Sequence, residues 1–355
     1  MEPFDQLHPG VQYHLANTLR WNGLRPTQAE AVGPILAGRD TLVLAPTAGG
    51  KTEAAVFPLL SRMASEDWQG VSVLYVCPLR ALLNNLQPRI DGYARWLGRT
   101  AAVWHGDVGQ GQRRRILAER PDILLTTPES LEAMLVSTKV DPRVVFSGLR
   151  AVVVDEIHAF AGDDRGWHLL AVLERLSRVA GRELQRIGLS ATVGNPEFLV
   201  SWLQGSFAAR ETTVVSPAAS APAAPDITVD FVGSVANAAT VIASLHRGEK
   251  RLVFVESRRQ AEELGAALRE RGVETYLSHS SLSATERHRS EAAFAEARDT
   301  VIVATSTLEL GIDVGDLDRV IQIGSTRTVA SFLQRLGRTG RRPGKPDTRA
   351  HILAV

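Results

Sequence analysis

Short apolar runs that each empty into a polar cluster recur along this chain, and they constrain its fold more than any other feature. Thr41-Leu42-Val43-Leu44 runs into Ala45-Pro46-Thr47-Ala48-Gly49-Gly50-Lys51-Thr52, and Val71 to Val76 ends at Cys77-Pro78-Leu79-Arg80. Ile123-Leu124-Leu125 is followed by Thr126-Thr127-Pro128-Glu129-Ser130. Ala151-Val152-Val153-Val154 meets Asp155-Glu156-Ile157-His158, and Ile187-Gly188-Leu189 meets Ser190-Ala191-Thr192. Short continuous apolar runs of this kind read as strands buried on both faces. The stretches between them read as helices, Glu53 to Met63 among them. Alternating strand and helix predicts a parallel α/β sheet covered on both sides. In such sheets ligands bind at the carboxyl ends of the strands, where all these polar clusters fall.

The pattern breaks at residues 205–228, where Ser216-Pro217-Ala218-Ala219-Ser220-Ala221-Pro222-Ala223-Ala224-Pro225 has nothing to bury and reads as a semi-extended linker. Apolar runs then resume at Leu252–Val255, Val273–Leu277, Thr300–Val303, Val320–Ile323 and His351–Leu353. The expected organisation is therefore a first α/β domain over 1–208, an Ala/Pro-rich linker over 209–228 and a second α/β domain over 229–355. Ahead of the first strand, Val11-Leu15-Leu19 marks one helix and Gln28 opens another that ends at Gly38.

Composition narrows the classes. With 355 residues, 44% hydrophobic and 22% charged, the chain has the makings of soluble domains with sizeable cores. No apolar run approaches a membrane span, and the start, Met1-Glu2-Pro3-Phe4-Asp5, has no secretory pattern. Cys77 is the single cysteine, which excludes an internal disulfide and suits the cytoplasm. A net charge of +1 means that any polyanion must be held by local patches and backbone amides. The histidines show no metal-ligand spacing, and Arg113-Arg114-Arg115 reads as a solvated helix face.

The first polar cluster carries the most specific chemistry. Strand, Gly-rich turn and helix make a P-loop, in which Thr47, Ala48, Gly49 and Gly50 offer backbone N–H groups to phosphates. Lys51 would reach the β- and γ-phosphates and the Thr52 hydroxyl would bind Mg²⁺. Ala45 stands where the pattern G-x-x-x-x-G-K-[ST] has its first glycine; it is tolerable if its φ stays negative. Asp155 and Glu156, at the end of a buried strand, suit a Mg²⁺ acid and a general base for the attacking water. In the second half, Gln334-Arg335-Leu336-Gly337-Arg338-Thr339-Gly340-Arg341-Arg342 places Arg338 and Arg341 on one helical face. Beside a P-loop domain without its own arginine finger, both read as fingers for the γ-phosphate. Two domains with one phosphate signature put the ATP site in the cleft between them. Gln28 can meet an adenine edge, but local sequence favours an ordinary capping glutamine.

Taken in order, Gln28, the P-loop, Asp155 to His158, Ser190-Ala191-Thr192, Ala304 to Asp313 and Gln334 to Arg341 resemble the motifs of superfamily 2 helicases of the DEAD/DEAH-box type. The wording around Thr126–Leu131, Asp155–Gly162, Leu189–Pro196 and Leu308–Val314 is most similar to the Lhr (large helicase-related) branch. The resemblance implies two tandem RecA-like parallel-sheet domains and ATP-driven translocation on DNA, 3′ to 5′. It implies that Gln28 reads adenine, that Gly311 and Asp313 line the nucleotide, and that Gln334 belongs to the catalytic set. His158, Ser190 and Thr192 would relay hydrolysis to movement. Single-stranded nucleic acid would pass Pro78, Arg80, Thr127, Ser257, Arg258, Thr305 and Ser306, mostly small hydroxyls and amides that suit phosphate tracking without base reading.

The expected function is an ATP- and Mg²⁺-dependent motor on single-stranded or tailed nucleic acid, DNA before RNA. An RNA helicase and a non-unwinding, ATP-switched clamp or sensor subunit are the alternatives. Members of the Lhr branch continue with a winged helix and further domains. Between Ile323 and Val329 only a short loop fits, not a strand-splitting hairpin. Strand separation is therefore expected to need a C-terminal extension or a partner protein.

Overall fold

Alternate residues of each central strand serve two different cores, which is why the runs are continuously apolar. Val73 and Tyr75 join one apolar cluster, whereas Leu74 and Val76 join another. Val153 against Val152 and Val154, and Leu125 against Leu124, divide in the same way. The pleat sends neighbouring side chains to opposite faces, and each such side chain fully buried contributes about 1.5–3 kcal/mol. The computed structural model describes residues 1–46, 49–162, 164–191, 193–206, 209–217, 225–279, 294, 297–305, 317–326, 329–337, 339 and 348–355, with the backbone alone at 329, 330, 333 and 334. The chain divides into two units, Met1–Ala218 and Ala219–Val355.

The first unit contains β1 (Asp40–Leu44), β2 (Val73–Val76), β3 (Ala101–Trp104), β4 (Ile123–Thr126), β5 (Ala151–Val154), β6 (Gln185–Ser190) and β7 (Thr212–Val215). They form one parallel sheet in the order β3-β4-β2-β5-β6-β1-β7. Helices α1 (Pro9–Asn17), α2 (Pro26–Leu36), α3 (Lys51–Ser65) and α4 (Arg80–Arg95) bury Val11, Val32, Phe57 and Leu83 in the first cluster. Helices α5 (Gln110–Glu119), α6 (Pro128–Val136), α7 (Pro142–Phe146), α8 (Asp164–Ala180) and α9 (Pro196–Gln204) put Ile116, Leu131, Phe146, Leu173 and Leu203 in the second.

The second unit runs β8 (Asp226–Phe231), α10 (Val235–Ser244), β9 (Arg251–Phe254), α11 (Arg258–Glu270), β10 (Thr275–Ser278), β11 (Val301–Ala304), β12 (Arg319–Ile323), α12 (Val329–Leu336) and β13 (Arg349–Ala354). Its sheet is parallel as well, in the order β10-β11-β9-β12-β13-β8. Two parallel-sheet α/β units are the architecture that the alternating runs foretold.

The boundaries differ from the sequence reading. Thr212–Val215, placed in the linker, adds a strand to the first sheet beside β1. Asp226–Phe231, which begins inside that span, pairs with β13 in the second. Both are edge strands with exposed residues, so neither carries the apolar run that marks a central strand. Among the described residues no helix is long and apolar enough to cross a membrane.

Candidate active site

The strand order β5-β6-β1 sets three polar strand ends side by side. Val154 lies opposite Gly188, and Leu44 opposite Ser190, so Asp155, Ser190 and Ala45 leave the sheet at one edge. The Ala45 N–H donates to the Ser190 carbonyl at 3.2 Å.

Beyond β1 the loop turns tightly into α3. Gly50 caps that helix with φ +79°, and a Cβ there would strike the Gln28 side chain. A Cβ on Gly49 would sit 2.8 Å from the Ala45 Cβ and 2.9 Å from the Pro46 carbonyl oxygen. Gly49 is therefore required by close approach, and Gly50 by its left-handed backbone. Ala45 is not among the residues with positive φ, so a Cβ is accommodated there. Lys51 Nζ donates to the carbonyls of Ala45 at 2.8 Å and Pro46 at 3.2 Å. Thr47 and Ala48 lie outside the described residues. Gln28 is buried; its Oε1 accepts from the Arg25 N–H at 3.0 Å and its Nε2 donates to the Gly50 carbonyl at 3.4 Å. It thus caps α2 and ties that helix to the phosphate loop.

Two acids close the other side. Asp155 is buried, with Oδ2 accepting the Tyr75 hydroxyl at 2.8 Å and Oδ1 accepting the Glu156 N–H at 2.9 Å. Burial, then the nearby Glu156 carboxylate, push its pKa up to about 6. Glu156 has φ +49°, a left-handed conformation that costs a non-glycine residue on the order of 1 kcal/mol. It turns the chain out of β5 into the short helical turn Ile157–Ala159. Its Oε2 lies 3.4 Å from His158 Nε2, and His158 Nδ1 lies 2.8 Å from the Ser190 hydroxyl. Thr192 lies outside the described residues.

A buried threonine hydroxyl and a buried carboxylate are hard oxygen donors. They suit Mg²⁺, which takes few protein ligands and keeps its other positions for water and phosphate. Asp155 is a carboxylate disfavoured by burial, and a cation at this place would relieve it. Among the described residues no group of three or more His, Cys, Asp or Glu side chains could hold a metal.

The neighbouring strand ends, β3-β4-β2, gather a second set. Arg80, at the start of α4, pairs with Asp107 at 2.7 Å, and both are more than half exposed. The Pro78 carbonyl accepts from Arg165 at 2.6 Å. Thr127 is buried and spends its hydroxyl on the cap of α6, accepting from the Ser130 N–H at 3.3 Å. Sequence reasoning missed the β3 end. His105 is buried, with Nε2 at 2.8 Å from Asn84 Oδ1, and its Nδ1 accepts from the Asp107 N–H at 3.2 Å. Arg113, read as solvated, instead turns inward. Its Nη2 donates to the His105 and Gly106 carbonyls at 3.0 Å, and its guanidinium lies 5.5 Å above the Trp104 ring. A run of three arginines gives no sign that one of them clamps a loop.

In the second unit, β11 and β9 are adjacent, so Thr305 and Ser257–Arg258 leave neighbouring strands. The Ser257 hydroxyl caps α11 through the Gln260 N–H at 3.2 Å, and Arg258 is exposed. Arg335 is buried over the Phe254 ring at 4.8 Å, with Nη1 donating to Glu256 at 3.1 Å and to the Gln322 side-chain oxygen. That places it as a structural anchor of α12. Ser306, Gly311, Asp313, Arg338 and Arg341 lie outside the described residues, as does the Gln334 side chain.

Known families match the chain over both units. The DEAD/DEAH box helicase family matches residues 25–199, and the helicase conserved C-terminal domain matches residues 235–343. The Lhr helicase/probable uracil glycosylase of Mycolicibacterium smegmatis is 37% identical, over 90% of this chain and 25% of its own length. An ATP-dependent helicase Lhr-Core of Methanothermobacter thermautotrophicus is 33% identical, over 94% of this chain and 42% of its own length. The structure of Mycobacterium smegmatis helicase Lhr bound to ssDNA and AMP-PNP matches with TM-score 0.83 at 36% identity, covering 100% of this chain and 48% of that one. Mss116p bound to ssRNA and AMP-PNP shares the fold, with TM-score 0.82 at 18% identity over 99% of this chain and 73% of that one. The chain spans less than half the length of the Lhr relatives.

Proposed function

We propose, because this chain belongs to the DEAD/DEAH-box helicases of superfamily 2 and is most like their Lhr branch, that it is an ATP-hydrolysing motor core that grips single-stranded DNA. One observation carries the reading: the phosphate loop, the acid pair Asp155-Glu156 and the His158–Ser190 contact stand at three adjacent strand ends of one sheet. The likeness to a relative solved with ssDNA and AMP-PNP supports both ligands.

Lys51 would exchange its two loop carbonyls for the β- and γ-phosphates. Thr52 and Asp155 would hold Mg²⁺, which when bound neutralises charge developing on those phosphates. Glu156 would orient the attacking water and take its proton. Gln28 would add an adenine contact to its capping role, with Gly311 and Asp313 as further nucleotide contacts. Gln334 completes the proposed catalytic set, and Arg338 and Arg341 would bring positive charge to the γ-phosphate. Pro78, Arg80, Thr127, Ser257, Arg258, Thr305 and Ser306 would track the strand through its phosphates. Strand separation by a further segment or partner protein remains part of the proposal.

The deciding measurement is the ATPase rate with single-stranded DNA, single-stranded RNA and duplex at one salt concentration. Strongest stimulation by single-stranded DNA is expected. Stronger stimulation by RNA would move the assignment to an RNA helicase, and no stimulation by any would overturn it.

A further inference from the structure

The hydroxyl assigned above to Mg²⁺ is held by a residue that no motif names. Arg89, on α4, donates from Nη2 to Thr52 Oγ1 at 3.0 Å. Its Nε lies 3.5 Å from Glu53 Oε1, and that buried carboxylate also accepts the Tyr93 hydroxyl at 3.0 Å. Glu53 thereby offsets the guanidinium charge, which lets a cation stand beside a hydroxyl meant for another cation. Asp155, the other side chain expected to hold the ion, is fixed in its turn, its Oδ2 accepting the Tyr75 hydroxyl at 2.8 Å. Each of the two side chains expected to hold the ion is thus held by a residue outside the phosphate loop, Thr52 by Arg89 and Asp155 by Tyr75.

A threonine hydroxyl has one proton and two lone pairs. Arg89 takes one lone pair, so one is left for an ion, and where Arg89 stands helps to set its direction. Mg²⁺ demands near-ideal octahedral geometry, and the partners behind a ligand set how that ligand points. We propose that Arg89 is a positioning residue of the divalent-cation site, holding the Thr52 hydroxyl so that its remaining lone pair faces the ion. The proposal rests on the reading of Thr52 as a metal ligand.

The test is the affinity of a fluorescent ADP analogue, titrated with Mg²⁺ and again with EDTA, on the whole chain. The ratio of the two affinities is the gain due to the metal. Arg89→Ala should lower that gain by about tenfold, the usual effect of losing such a partner, and leave the EDTA affinity unchanged. Arg89→Lys should restore part of it, since a lysine keeps the charge without the planar fork. Arg89 is 46% exposed, so neither change opens a cavity in the core. Thr52→Ala separates the two readings. An undiminished gain in Thr52→Ala overturns the metal assignment itself. A diminished gain there with an undiminished gain in Arg89→Ala overturns only the role of Arg89. Equal losses with and without Mg²⁺ in Arg89→Ala overturn it too, because they mark general damage to the loop.

Discussion

His158 Nδ1 lies 2.8 Å from the Ser190 hydroxyl, which joins the turn after β5 to the end of β6. The other ring nitrogen is 3.4 Å from Glu156 Oε2. One imidazole therefore touches both the proposed base and the residue whose carbonyl accepts the Ala45 N–H at the phosphate loop. A shift at any of these positions reaches the others through a single ring.

Removing the Ser190 hydroxyl should accordingly cost coupling more than chemistry. Ser190→Ala is expected to keep its ATP affinity and to slow hydrolysis by about fivefold, the worth of one ordinary hydrogen bond. Movement along DNA, followed by displacement of streptavidin from a biotinylated end, should slow far more. Equal losses in hydrolysis and displacement would refute the relay.

The buried acid makes stability depend on pH in a definite direction. Asp155 has its pKa raised from 3.8 to about 6, by burial first and then by Glu156. A raised carboxyl pKa leaves stability intact below the unfolded value and erodes it as pH climbs through the folded value. Without nucleotide or metal, Asp155→Asn should therefore stabilise the protein at neutral pH by ~2 kcal/mol. The gain should fade as pH drops toward about 4, where the aspartate is protonated in both states. Urea unfolding at several pH values measures it, and a gain independent of pH would contradict the assignment.

The sheets, and the polar strand ends that carry the phosphate loop and the acid pair, were legible because both depend on local signals. Ala151 to Val154 followed by Asp155-Glu156 shows a buried strand and the acid pair at its polar end in six consecutive residues. The contacts that support those residues were not legible, since each joins distant stretches. Tyr75 reads as one more apolar strand residue, yet its hydroxyl serves Asp155. Arg89 and Arg113 are ordinary helix arginines until α4 and α5 dock. Edge strands β7 and β8 were lost for the opposite reason, because exposure removes the apolar run that identifies a strand.

Among the residues proposed to track a strand, Arg80 already has an anion. Its pair with Asp107 is 2.7 Å long but exposed on both sides, so it is worth little and a phosphate can displace it. Arg80→Ala should weaken binding to single-stranded DNA uniformly across sequences and reduce the slope of log affinity against log salt by about 0.7. Filter binding to oligonucleotides of different sequence over a salt series measures both. An unchanged slope would remove Arg80 from the strand contacts.

Glu156 sets catalysis against stability, and two substitutions pull them apart. Its left-handed backbone at φ +49° is strained for any residue with a side chain. Its charge also presses on buried Asp155. Glu156→Gln removes the charge but keeps the strain, whereas Glu156→Gly removes both. Against these gains stands the contact with His158, at 3.4 Å a modest one. Both variants should bind ATP and lose about a hundredfold or more in turnover if Glu156 is the base. In urea unfolding at neutral pH without nucleotide, Glu156→Gln should be slightly more stable than the parent. Glu156→Gly should exceed it by a further ~1 kcal/mol, the strain released at a left-handed position. A glycine variant less stable than the glutamine one would mean that the turn after β5 is not strained, and turnover within about threefold of the parent in either would remove Glu156 from the role of base.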